Sequence, residues 1–128
     1  MVAENDYALG QIVDLISHSK IWRSSAIFVV EDDSQDGADH VDAHRMPAGV
    51  FSPYARRGTV VGTRYDMLSF IRSIELILGM RPLGLPDAVA TPLYDVFQPK
   101  PSNSAPYKVI APTYPLLDRN ATLLSTAL

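Results

Sequence analysis

Cysteine is missing from this 128-residue chain. Its absence excludes disulfides, thiolate metal sites and cysteine nucleophiles together. Long apolar runs are missing too, since none approaches the roughly 20 residues that cross a bilayer. Positive charge is in deficit: 11 Lys and Arg face 14 Asp and Glu, a net charge of −3, so no broad basic face points to nucleic acid. There are no internal repeats. No signal peptide is visible either, because Met1 is followed by Val-Ala-Glu-Asn-Asp, with neither a basic start nor an apolar centre. The expectation is a cytoplasmic protein, or one whose true N-terminus lies elsewhere, which leaves a periplasmic or secreted parent open. What the chain does have is 47 % hydrophobic residues, enough for the core of one ordinary domain.

The organising stretch runs from Ala26 to Arg45. It opens as an apolar run, Ala26-Ile27-Phe28-Val29-Val30, which reads as a buried strand. It then turns acidic: Glu31, Asp32, Asp33, Asp36, Asp39 and Asp42 fall within twelve residues, and His40 and His44 lie in or just after them. Carboxylates cannot follow a strand into the core unpaired. They belong at its carboxyl end, where open α/β sheets bind ligands. Asp and His side by side suit a divalent metal.

Around this stretch the chain reads helix, strand, loop, strand, helix, tail. The first helix is expected over 5–18, capped by Asn5 or Asp6, with Leu9, Ile12, Val13 and Ile16 on one face. Gly10 weakens it by roughly 1 kcal/mol relative to Ala. His18 reads as a solvated helix-end residue and Trp22 as a packing residue. A second short strand covers Ala48 to Ser52, between Pro47 and Pro53. Arg56-Arg57-Gly58 reads as a basic turn, either solvated or in contact with an anion. A helix over 65–78 places Met67, Leu68, Ile71, Ile74, Ile77 and Leu78 on one face with Arg72 and Glu75 pointing away; Gly79 and Pro82 stop it. One short helix is expected between Asp87 and Phe97, and residues 98–128 form an extended or disordered tail. Two short strands make a poor domain alone. The apolar content exceeds what these elements can bury, so the chain belongs to a larger α/β sheet or dimerises.

The acidic segment admits four readings. One is a solvated turn, which charge runs usually are. A calcium loop fits Asp32, Ser34, Asp36 and Gly37, but Ala43 stands where a bidentate Glu is needed. A glycosidase-type carboxylate pair is poorly served by Asp32 and Asp33, because neighbours on a strand point to opposite sides. The fourth is a divalent-metal hydrolase site. For that reading the segment Ile27 to Asp33, the run Gly37-Ala38-Asp39-His40-Val41-Asp42-Ala43-His44-Arg45, then Pro47, Ser52-Pro53-Tyr54 and Arg56-Arg57-Gly58 carry a resemblance. Together they resemble the phosphoesterase family of phospholipase C and acid-phosphatase type, within the alkaline phosphatase superfamily. The nearest likeness is to bacterial members linked to a β-propeller. The likeness extends to Glu4-Asn5-Asp6-Tyr7-Ala8-Leu9-Gly10 and to the helix ending Ile74-Glu75-Leu76-Ile77-Leu78-Gly79.

The resemblance implies an α/β fold: the C-terminal part of an alkaline-phosphatase-like sheet with flanking helices over residues 1–97, followed by an irregular Pro-rich tail over 98–128. It implies metal ligation by Asp32 and Asp33, with His44 the better third ligand and His40 a ligand or phosphoryl contact. Arg56 and Arg57 are the candidate substrate contacts. The cofactor is a divalent metal ion: zinc, manganese, iron or calcium. The partners are a phosphoester substrate and either the upstream part of the same enzyme or a second copy of the chain, with no nucleic acid and no membrane span. The family's Ser or Thr nucleophile lies far upstream of this segment, and no catalytic residue is assigned within the chain. The resemblance therefore implies a metal-dependent phosphoester hydrolase whose nucleophile segment lies outside this sequence. The rival class is a non-catalytic remnant or interaction piece.

Overall fold

The structure is a computed structural model, and it describes residues 2–31, 46–101 and 103–113. The described residues form a mixed α/β arrangement of three α-helices and one two-stranded antiparallel sheet. In order these are α1 (Val2–Ser17), a 3₁₀ turn at Trp22–Ser24, β1 (Ile27–Val30), β2 (Ala48–Phe51), α2 (Met67–Leu78) and α3 (Leu85–Ala88). No helix among the described residues is long and apolar enough to cross a membrane. The chain divides into two compact units, Met1–Trp22 with Ala105–Leu128, and Arg23–Ser104.

In the first unit α1 starts three residues before the expected position, so Asn5 and Asp6 lie inside it rather than at its cap. Val13 supplies the buried contact of the helix, whereas Ile12 is 52 % exposed. An irregular segment lies along α1. The backbone N–H of Tyr107 donates to Ser17 Oγ at 2.9 Å, and that of Val109 to Asp14 Oδ2 at 2.7 Å. Trp22 is buried and meets Tyr107 edge to face, with ring centroids 6.0 Å apart. Gly10 is where this segment comes closest: a Cβ there would lie 2.9 Å from Val109 Cγ2. The residue that weakens the helix therefore makes room for its partner.

In the second unit β1 and β2 pair in the register Ile27 with Phe51 through Val30 with Ala48. Phe28 packs edge to face on Phe70 of α2, at 6.2 Å, and against Phe97, at 6.0 Å. The helix α2 is bounded on both sides. Asp66 accepts from the Ser69 N–H at 3.0 Å to close its start, and Gly79 takes the left-handed conformation at φ 67° to end it.

The orientation of α2 corrects the sequence reading. Its buried side carries Ser69, Phe70, Ser73 and Glu75, while Ile77 and Leu78 are 57 % and 65 % exposed. Glu75, expected to face solvent, is only 2 % exposed. Hydrogen bonds explain the turn of the helix. Ser73 Oγ donates to Ser69 O at 2.7 Å and accepts from the Leu93 N–H at 2.8 Å. Glu75 pairs with Arg72 at 3.2 Å and accepts from the Leu83 N–H at 3.1 Å. A buried polar group is tolerated when it is bonded in this way. The short helix α3 also differs from expectation. It begins at Leu85, and Asp87 sits in its first turn, accepting from the N–H groups of Leu83 and Gly84 at 2.7 and 2.8 Å.

Candidate metal-binding segment

The end of β1 is fixed before the acidic segment begins. The Glu31 N–H donates to Pro47 O at 3.1 Å, one step beyond the Val30–Ala48 pair. Both ends of the intervening segment are thereby held side by side at one end of the ribbon. Ser52 secures the opposite end: it is 1 % exposed, and its Oγ donates to Ser25 O at 2.9 Å and accepts from the Tyr54 N–H at 3.2 Å. The Ser52-Pro53-Tyr54 motif thus has a packing role, locking the start of β1 to the exit of β2.

Asp32, Asp33, His40 and His44 all lie outside the described residues. Among the described residues, no three His, Asp or Glu side chains come together as a metal site. Most of the described carboxylates that lie near partners have structural work. Asp66 caps α2, Glu75 and Asp87 hold the turn between α2 and α3, Asp95 binds two hydroxyls, and Asp14 holds the Val109 N–H. His18 places its Nδ1 3.0 Å from Asp14 Oδ1 at the exposed end of α1, as a helix-end residue does.

The two arginines are in the described part. A strap joins the residues after β2 to the segment after α3: the Arg56 N–H donates to Val96 O at 2.9 Å, and the Gln98 N–H to Tyr54 O at 3.0 Å. Arg56 is exposed and its Nε donates to Phe97 O at 3.4 Å, while Arg57 is half-buried. Gly58 then takes φ 65°, a left-handed turn that glycine adopts without cost.

A polar cluster that the sequence did not announce lies near Arg56. Asp95 accepts from Thr63 Oγ1 at 2.5 Å and from Tyr65 Oη. The Thr63 bond, then the Tyr65 bond, holds the Asp95 carboxyl below its ordinary value, with a smaller contribution from Arg56. Desolvation and the bond to Asp95 push the Tyr65 phenol up. Thr63 and Tyr65 are two apart, so an extended chain puts them on one side. Asp95 lies thirty residues further on, and spacing gives no hint of it. The buried Asp87 shows an opposing balance: desolvation raises its carboxyl, but bonds with Glu75 and the Leu83 and Gly84 N–H groups outweigh it and leave the group below the ordinary value.

Comparison with models of known protein families, with curated proteins and with solved structures gives no match.

Proposed function

We propose that this chain is the metal-binding C-terminal part of a phosphoester hydrolase of the phospholipase C and acid-phosphatase type, continuing an alkaline-phosphatase-like sheet. The single observation that supports the reading is that the two residues flanking the acidic segment are pinned together: β1 ends just before it, and the Glu31–Pro47 bond holds the start of β2 beside the end of β1. Two carboxylates and two imidazoles fit a hard or borderline divalent ion such as zinc, manganese, iron or calcium. Asp32, Asp33 and His44 would hold the ion, with His40 as a fourth donor or a phosphoryl contact. When bound, the ion supplies charge neutralisation at the phosphoryl oxygens. Asp39 and Asp42 are near enough in sequence to accept from the second ring nitrogen of each imidazole and fix its tautomer. Arg56 and Arg57 offer guanidinium groups to the phosphate.

The test is calorimetric titration of the chain with zinc and with manganese, in the presence and absence of inorganic phosphate. Binding that is lost in Asp33→Ala supports the reading, and phosphate uptake that depends on the metal and on Arg57 completes it. Absence of any metal binding overturns it. A second reading, a non-catalytic interaction piece, is favoured by a separate observation: Leu76, Ile77, Leu78, Leu83, Leu85 and Val89 are 46–79 % exposed around α2 and α3. Metal-dependent phosphate uptake by the chain, abolished by Asp33→Ala, would count against it.

A further inference from the structure

Among the described residues β1 has one edge paired with β2 and one edge unpaired. The Glu31 N–H points at β2, and backbone groups alternate along an antiparallel strand. Ile27 and Val29 therefore turn their N–H and C=O groups toward β2, and Phe28 and Val30 turn theirs outward. Among the described residues no third strand meets them. Natural edge strands are blunted by charge, proline or a bulge. The run Ile27-Phe28-Val29-Val30 has none of these, and all four side chains are half-buried on both faces. On the other side of the ribbon Ala48 and Val50 turn their backbone groups outward, because Pro47 and Gly49 share the inward parity of Glu31 and Val29.

We propose that the β1 edge pairs with the β1 edge of a second copy of this chain, antiparallel about a two-fold axis through Val29. Parity restricts the choice. Two residues that face each other across an antiparallel pair must both point their backbone groups inward or both outward, so the axis must pass through a residue and not between two. An axis through Val29 sets Phe28 opposite Val30 of the second copy, and Val30 opposite its Phe28. Every outward backbone group of the strand is then bonded. Each bonded pair joins an aromatic to a β-branched side chain, a favourable cross-strand combination. Glu31 falls opposite Ile27, not opposite another Glu31, so no like charges meet. The result is a four-stranded antiparallel sheet with the two β2 strands outermost. The inference does not depend on a cation in the acidic segment.

The test combines light-scattering mass with amide hydrogen exchange on the full chain. The expected mass is twice 14.0 kDa at high concentration, falling on dilution. Exchange of the Phe28 and Val30 amides should slow as the dimer forms, while the Ile27 and Val29 amides are protected at every concentration. Val30→Pro removes an outward N–H and leaves the bonds to β2 untouched, so it should return the mass to that of a monomer. Val30→Lys serves as a second variant with the same expected result should the proline variant fail to fold. Three outcomes would overturn the proposal: a monomer at all concentrations, a dimer whose Phe28 and Val30 amides exchange freely, or protection of those amides only when a different polypeptide is added.

Discussion

Gly10 shows how one residue can be misjudged from local rules. In isolation it costs α1 roughly 1 kcal/mol relative to Ala. In the fold it admits Val109, whose Cγ2 would stand 2.9 Å from a new Cβ. Gly10→Ala should therefore fail to deliver the propensity gain of about 1 kcal/mol in the native background, and should deliver it when Val109 is also replaced by Ala. Urea denaturation of the four proteins of that cycle checks this, and an equal gain in both backgrounds would refute the contact. Asp95 makes a pH prediction. Its carboxyl sits below the ordinary value of 3.8 because the Thr63 and Tyr65 hydroxyls stabilise the ionised form. A depressed carboxylate contributes stability above the unfolded value, and that contribution is lost as pH falls through the lower folded value. Asp95→Asn should flatten the dependence of unfolding free energy on pH below about 4 while changing its alkaline limb little. A wild-type and variant acid limb of the same slope would contradict the assignment.

At the scale of elements, the sequence was most readable where chain-local signals coincide. The strand beginning at Ile27, the strand beginning at Ala48 and the stop of α2 at Gly79 all follow from apolar runs, flanking prolines and a left-handed glycine. The roll of α2 about its own axis did not follow. Periodicity placed Ile77 and Leu78 inside and Glu75 outside, yet Ser73 and Glu75 are buried, at 4 % and 2 % exposure, because Leu93 and Leu83 present backbone N–H groups to them. Those partners lie eight and twenty residues away, beyond the reach of a helical repeat. Ser73→Ala should cost about 1–3 kcal/mol, since it strands a buried N–H, whereas Ile77→Ala should cost well under 1 kcal/mol. Thermal unfolding of the two variants decides between the observed roll and the one periodicity suggests.

At the scale of the molecule, the described residues make a ribbon whose two strands carry the ends of the acidic segment, and an α2–α3 corner rich in exposed apolar side chains. Asp32, Asp33, His40 and His44 are read from the sequence alone, as carboxylates following an apolar strand with imidazoles close behind, and they lie outside the described residues. The Thr63–Tyr65–Asp95 cluster was not legible there, because its members meet only through the strap between Arg56 and Val96. Whether the acidic segment gathers a cation is tested most directly by paramagnetic broadening by manganese in nitrogen-edited spectra of the chain. The expected result is selective loss of the Asp32, Asp33 and His44 amide signals, with those of Asp6 and Asp95 spared and the effect abolished in an Asp32→Asn, Asp33→Asn variant. Broadening spread evenly over every exposed carboxylate, or unchanged in that variant, would contradict it.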